Sequence, residues 1–137
     1  MTTETDLRQL LASLRPDVVP GEFVFVSLAT AAGDTATAAS VALATVREDE
    51  GTTYVVSRPD ADRFGWPYGF VAAWITLRVR SALDAVGLTA AVATALTDDG
   101  ISVNVLAGAH HDHLLVPAHR VDDALAALAR ISEHDRE

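Results

Sequence analysis

The stretch SALDAVGLTAAVATALTDDGISVNVLAGAHHDHLLVP (residues 81–117) decides the fold of this chain. Apolar side chains recur on one face of residues 87–99, which predicts an amphipathic helix that ends at Gly100. Residues 101–106 then alternate between apolar and polar, as a strand does. A turn at residues 108–110 leads into a returning strand at residues 112–116.

The segments on either side extend this pattern. Residues 73–79 (AWITLRV) alternate and predict a strand before the helix, and residues 121–131 predict a last helix after the strands. The order strand, helix, strand, strand, helix is the opening of a ferredoxin-like βαββαβ unit that lacks its final strand. That strand must come from the first half of the chain or from a partner chain. We therefore expect an α+β protein of two ferredoxin-like units with antiparallel sheets that share or swap strands.

The first half of the chain supplies the second unit. Its predicted elements are a short helix over residues 7–14, a strand over 22–28, a mobile loop over 31–40, two hairpin strands over 40–46 and 52–57, and a helical turn over 59–64. The loop GWPYG at residues 65–69 is the natural boundary between the halves. We expect one unit at residues 1–65 and the other at residues 66–137.

Composition excludes several classes of function. The chain of 137 residues has no cysteine, so disulfides, thiol nucleophiles and thiolate metal sites are ruled out. Its ten basic residues are all arginine, which excludes a lysine Schiff base. The net charge of −9 disfavours binding to nucleic acid. No apolar run approaches the roughly 20 residues of a membrane span, and the polar, acidic N-terminus does not resemble a secretory signal. We expect a cytoplasmic protein with no nucleic-acid or membrane partner.

Several segments resemble the ACT domain. The resemblance is clearest in the runs SALDAVGLTAA (residues 81–91) and GISVNV (residues 100–105). The run AGAHHDHLLVP (residues 107–117) indicates one particular group within the ACT-like proteins. The chain resembles small stand-alone bacterial proteins built from two ACT-like units, which are related to the regulatory part of aspartate kinase. GEFVF (residues 21–25) and REDEGT (residues 47–52) match the N-terminal pattern of that family. His110 departs from it, because the family usually has an aromatic residue there. The resemblance implies a regulatory, ligand-binding fold and a homodimer.

The segment Val86, Gly87, Leu88 and Thr89 is a candidate ligand site. The start of a helix offers unpaired backbone N–H groups and a partial positive charge, which suit the carboxylate of an amino acid. Glycine lets a ligand approach the backbone closely. Gly87 could instead serve only the turn from strand to helix. The resemblance favours the ligand site, since ACT domains typically hold their effectors at this turn.

Other polar residues are further candidates. Asn104 interrupts an apolar strand, and its amide could bind a ligand or could pair with a loop or a dimer partner. Glu48 and Glu50 belong to an acidic turn that is either a solvated hairpin tip or a source of a carboxylate for a ligand's ammonium group.

The run from His110 to His113 could suggest a metal site. Strand alternation places only His111 and His113 on one face and Asp112 on the other, so the three cannot converge on one ion without distortion. We expect no metal and no other cofactor. His111 or Asp112 is better suited to contact the amino group of a ligand.

Three functional hypotheses follow from the residues and the resemblance. The first is a non-catalytic regulatory domain that binds a small amino-acid-like ligand, and the second is a dimerisation or docking module whose site is vestigial. The third is a metal-dependent enzyme built on the histidine run. Nothing in the sequence assembles a nucleophile, a base and a group that orients them, which disfavours an enzyme.

Overall fold

The computed structural model describes residues 4–29, 33–78 and 86–136. Within these ranges the chain forms five α-helices, six strands and one 3₁₀ turn. They are α1 (Glu4–Ala12), β1 (Pro16–Leu28), α2 (Thr35–Val41), β2 (Ala44–Glu48), β3 (Gly51–Ser57), α3 (Arg58–Phe64), β4 (Val71–Leu77), α4 (Leu88–Asp98), β5 (Asn104–Ala107), β6 (Asp112–Pro117), the 3₁₀ turn (Ala118–Arg120) and α5 (Val121–Arg136). Across these described residues, none of the helices is long and apolar enough to cross a membrane.

The strands hydrogen-bond in the order β2-β3-β1-β4-β6-β5. The pairs β1–β3, β2–β3 and β5–β6 are antiparallel. Residue contacts divide the chain into an inner unit, Gly21–Ala72, and an outer unit made of Met1–Pro20 and Ala73–Glu137. Both β1 and β4 are thus divided between the two units.

This division explains the strand that the second half of the sequence lacks. The inner unit reads β1-α2-β2-β3-α3-β4, which is a complete βαββαβ unit. The outer unit reads β4-α4-β5-β6-α5, and the N-terminal part of β1 supplies its final strand. The prediction of two ferredoxin-like units that share strands is confirmed, and the shared strand comes from the same chain. The division of the chain after residue 65 stays a prediction.

The outer unit has an apolar core between its sheet and its helices. Ile75 and Leu77 of β4 and Leu114 of β6 pack against Val92 and Leu96 of α4. The helix α5 adds Ala124, Ala127 and Leu128, and residues before β1 add Leu11 and Leu14. Alternation along β4 and β6 places these side chains on one face of the sheet.

The inner unit has its own core. Val24 and Val26 of β1 pack with Tyr54 and Val56 of β3, and with Trp66.

The helix α3 is capped at its N-terminus by Ser57, whose hydroxyl accepts a hydrogen bond from the Asp60 amide at 3.2 Å. This is an ordinary N-cap, and it agrees with the helical turn predicted over residues 59–64.

The structure corrects the prediction in three segments. The first strand begins at Pro16 rather than at residue 22, and β5 begins at Asn104 rather than at residue 101. The mobile loop expected over residues 31–40 is helical from Thr35 onward, and the strand expected from residue 40 begins at Ala44. The reason is tertiary packing, since the helix buries Ala38 in the core of the inner unit. Residues 31 and 32 lie outside the described residues, as does most of the connection predicted over residues 81–86.

Candidate functional site

The first turn of α4 is the start of the candidate site. Gly87 is the N-cap residue, and no side chain in the described part of the chain caps the helix there. The first intrahelical hydrogen bond runs from the Ala91 amide to the Gly87 carbonyl, at 2.9 Å. The amides of Leu88 and Thr89 therefore have no partner within the helix. Val86, just before the turn, is 67% exposed.

Gly87 has two structural reasons to be glycine. Its φ of +103° lies in the left-handed region that side chains rarely adopt. A Cβ atom at this position would lie 2.7 Å from Cδ2 of Leu7 on α1. The turn is thus packed against α1, which supports the structural alternative for Gly87.

A tight cleft lies beside this turn, and we call it the α4 cleft. Its walls are too close together to admit a water molecule. It is lined by Leu77, Leu88, Thr89, Val92, Val105, Asp112 and Leu114. Among these residues only Thr89 and Asp112 carry polar side chains, and the surface that the cleft exposes is entirely apolar.

Asp112 is the first residue of β6 and lies opposite Ala107 of β5. It shares a face of its strand with Leu114, because residues two apart in a strand point the same way. Leu114 belongs to the core under α4. This alternation explains why Asp112 reaches the α4 cleft, and three predicted site residues, Leu88, Thr89 and Asp112, are brought together there.

Asn104 and His111 do not line the α4 cleft. Asn104 is exposed at the start of β5 and pairs with Leu115, which puts it on the face opposite Asp112. His111 ends the turn before β6, where its carbonyl accepts a hydrogen bond from the Gly108 amide at 2.9 Å. Its Nδ1 atom is buried and has no hydrogen-bond partner within the described residues. A role for either residue in ligand binding stays a prediction.

The acidic turn belongs to the inner unit. A carboxylate oxygen of Glu48 accepts a hydrogen bond from the Thr53 hydroxyl at 2.6 Å, within the hairpin of β2 and β3. Glu50 is exposed in the turn that joins these strands. Whether these carboxylates reach a ligand stays a prediction.

A polar cluster that the sequence analysis missed lies on the other face of the outer unit's sheet. Nδ1 of His113 is 3.0 Å from the Thr76 hydroxyl and 3.3 Å from the indole nitrogen of Trp74. The indole N–H also lies 3.1 Å from the Thr76 hydroxyl. Burial, with the nearby His111 adding to it, lowers the pKa of His113 below its ordinary value of 6.5. The signal was present in the alternation of β4, which puts Trp74 and Thr76 on one face.

The described residues contain no cluster of three His, Asp or Glu side chains that could hold a metal ion. His113 points its Nδ1 at β4, and Asp112 lies on the opposite face.

Comparison with known proteins identifies the family. A model described as ACT domain matches residues 2–73, and a second model with the same description matches residues 70–130. The chain belongs to the ACT domain family. It carries two ACT domains in tandem, whose matches meet within β4, and domains of this family are regulatory and typically bind small ligands.

Solved structures agree with this assignment. A Vibrio cholerae protein of unknown function, described as a possible transport protein, is 39% identical, with a TM-score of 0.82 over 93% of this chain and 97% of that one. The regulatory subunit of aspartate kinase from Thermus flavus is 11% identical, with a TM-score of 0.57 over 87% of this chain and 96% of that one. The second likeness shows the shared ACT fold. No curated protein matches the chain.

Proposed function

We propose that this tandem ACT protein is a non-catalytic sensor that binds a small amino acid in the α4 cleft. The carboxylate of the amino acid would accept hydrogen bonds from the free amides at the start of α4, and its ammonium group would pair with Asp112. Its side chain would lie among the apolar walls of the cleft.

The observation that carries the proposal is the meeting of Thr89 and Asp112 in one cleft. The N-terminus of a helix favours an anion, because its dipole places about half a positive charge there. Asp112 adds an anionic group that favours a cation. An amino acid carries a carboxylate and an ammonium group on its α-carbon, so the N-terminus of α4 together with Asp112 suits a zwitterion better than a simple anion.

The cleft would have to open for a ligand to bind. Its walls leave no room for a water molecule, so binding requires the first turn of α4 or the β5–β6 turn to move. A ligand that binds only the opened cleft shifts the population toward that state. Such a coupling between occupancy and conformation is what a sensor needs.

A thermal-shift screen tests the proposal against the two alternatives. The protein would be heated with each of the twenty proteinogenic amino acids and with divalent metal ions. A ligand specific for the native state adds about 2.7 kcal/mol at a hundredfold excess over its dissociation constant. Stabilisation by an amino acid supports the sensor. Stabilisation by a metal alone would favour the enzyme, and no stabilisation by any compound would favour the docking module.

The variant Asp112→Asn tests the assigned site. A hydrogen bond to a charged group contributes about 1.5–3 kcal/mol, so we expect affinity for the amino acid to fall by about tenfold to a hundredfold. Asp122→Asn, an exposed residue on α5 outside the cleft, removes the same charge and should leave affinity unchanged. N-acetylation of the amino acid should weaken its binding to the wild-type protein but cost little further in Asp112→Asn.

We also propose that the protein is a homodimer. One argument for the dimer from the sequence no longer holds, because β1 of the same chain supplies the strand that a partner chain could have provided. The remaining support is that β2 and β5 end the strand order, and terminal strands expose hydrogen-bonding groups that can pair with another chain. Val46 on β2 is also 45% exposed. A monomeric mass by light scattering at micromolar concentration would contradict the dimer.

A further inference from the structure

The helix α1 lies outside the βαββαβ pattern and contacts the candidate site through Leu7. A Cβ atom on Gly87 would be 2.7 Å from Cδ2 of Leu7 and 3.5 Å from its Cδ1. The Leu7 side chain therefore fills the space that a side chain on Gly87 would take. This contact ties the beginning of α1 to the first turn of α4, which is one wall of the α4 cleft.

The two ends of α1 are held differently. Near its C-terminal end, Leu11 is buried, and the Ala12 carbonyl accepts a hydrogen bond from the Ser132 hydroxyl of α5 at 2.8 Å. Leu14, just after the helix, is buried as well. Leu7, one turn before Leu11, is only partly buried where it packs against the same core. The helix is thus anchored at its C-terminal end, and less apolar surface holds the end that carries Leu7.

The first turn of α4 is the more weakly held wall of the α4 cleft. No side chain among the described residues caps it, and the amides of Leu88 and Thr89 have no partner within the helix. Val86, just before it, is exposed. Another wall is the start of β6, a strand that lies between β4 and β5 in the sheet. Local opening favours the segment with fewer contacts, so we expect the cleft to open at α4.

We propose that α1 is a strap on the α4 cleft, which holds the first turn of α4 closed while Leu7 is seated on Gly87. The cleft opens when this end of α1 moves away. The inference rests on the proposed function for the ligand but not for the link between Leu7 and α4. Seating of Leu7 and binding of an amino acid oppose each other, and such a coupling is reciprocal. Occupancy of the cleft therefore displaces the beginning of α1.

Hydrogen exchange measured by nuclear magnetic resonance tests the strap without a ligand. The Ala91 amide reports on the first turn, because it donates the first intrahelical hydrogen bond of α4. The amides of β6, a strand with a neighbour on both sides, report on global unfolding. In Leu7→Ala we expect exchange at Ala91 to accelerate about tenfold relative to β6, the effect of losing the burial of about two methylene groups.

Leu125→Ala is the matched control for Leu7→Ala. It removes the same atoms from a partly buried leucine that packs against the same core but lies on α5, outside the cleft. We expect it to leave the ratio of the Ala91 rate to the β6 rates unchanged. Equal acceleration at Ala91 and β6 in Leu7→Ala, or the same change of the ratio in both variants, would contradict the strap.

A titration of isotope-labelled protein with an equimolar mixture of the twenty proteinogenic amino acids tests the coupling to binding. The observed affinity is the intrinsic affinity reduced by the open fraction, so Leu7→Ala should reach half-saturation of the Thr89 amide shift at an about tenfold lower concentration. The wild type and Leu125→Ala should agree with each other. In the wild-type background, a nitroxide label on Gln9→Cys, the single thiol in a chain without cysteine, should gain mobility as the mixture is added.

The outcomes separate the strap from the proposed function. Equal half-saturation in the wild type and Leu7→Ala, or a label whose mobility ignores a saturating mixture, would contradict the strap and leave the ligand site standing. No amide shift with the mixture in either protein would contradict the proposed function, while the exchange rates at Ala91 would still decide whether Leu7 holds the turn.

Discussion

Gly87 shows how one residue can serve both the fold and the candidate site. Its left-handed conformation begins α4, and its bare Cα lets Leu7 pack against the turn. The amides of Leu88 and Thr89 have no partner within the helix, and the proposed function assigns them to the carboxylate of a ligand. The structural and functional explanations of this glycine are therefore not exclusive.

The variant Gly87→Ala should destabilise the protein by about 1–3 kcal/mol, because a side chain at this φ is strained and its Cβ meets Leu7. Leu7→Ala removes the contact but leaves the strain, so the two substitutions should cost less together than the sum of their separate costs. Gly100→Ala is the control, since Gly100 has a φ of +72° and open space around it. Urea denaturation gives the four free energies. If the two free-energy costs added strictly, the contact with Leu7 would contribute nothing to the cost of Gly87→Ala.

Sequence patterns pointed to some residues of the candidate site but not to the side chains that surround them. The turn before the predicted helix pointed to Gly87 and Thr89, and strand alternation separated Asp112 from His113, as the structure has it. The cluster of Trp74, Thr76 and His113 depends on the adjacency of β4 and β6, although Thr76 and His113 are 37 residues apart in the chain. A single sequence does not give that adjacency.

At the scale of elements, the hairpin of β2 and β3 depends on Gly51. Its φ is +144°, and a Cβ atom there would overlap the carbonyl oxygen of Leu28 on β1. The acidic turn predicted this hairpin correctly, because Glu48 pairs with Gly51 across it. The close approach of β1 to Gly51 could not be predicted, since it arises from the pairing of β1 with β3.

We expect Gly51→Ala to cost at least about 3 kcal/mol, because its new atom meets backbone that cannot move without breaking the sheet. Gly69→Ala in the same unit is the control and should change stability by no more than about 0.5 kcal/mol, as nothing lies within 4 Å of the added atom. Chemical denaturation of both variants measures the two changes in the free energy of unfolding. Equal stability of the two would show that β1 does not pack against Gly51 as described.

The helix α2, which the sequence analysis predicted as a loop, shows that composition alone does not distinguish a loop from a short helix. TATAASV consists of small residues that suit loops as well as helices. The segment instead buries Ala38 in the core of the inner unit and ends where Ala42 hydrogen-bonds back to the Ala38 carbonyl at 2.9 Å. Tertiary packing thus selects the helix over the loop.

At the scale of the whole molecule, the tandem ACT chain consists of two interdependent units. The outer unit takes its helix α1 and its last strand from the N-terminus and the rest from residues after 73. Leu11 and Leu14 contribute to its core. The order of elements in the second half predicted that a strand was missing, but the sequence offered no means to choose its source.

The sharing of β1 gives a prediction about fragments. Residues 66–137 alone should lack stable tertiary structure, because they expose the core that α1 and the start of β1 cover. A permuted chain that joins residues 73–137 through a glycine-rich linker to residues 1–20 should fold. Dispersed amide resonances or a near-ultraviolet circular dichroism signal report folding. A well-folded fragment of residues 66–137 would show that the outer unit does not need the N-terminal segment.

An NMR titration of isotope-labelled protein tests the central claim most directly, namely that an amino acid binds between the start of α4 and Asp112. The probe is the amino acid that stabilises the protein most in the thermal-shift screen. We predict that the amide signals of Leu88, Thr89 and Asp112 shift most and that these shifts are lost in Asp112→Asn. Shifts centred elsewhere, such as on the hairpin of Glu48 and Gly51 with the α4 amides unmoved, would contradict the assigned site.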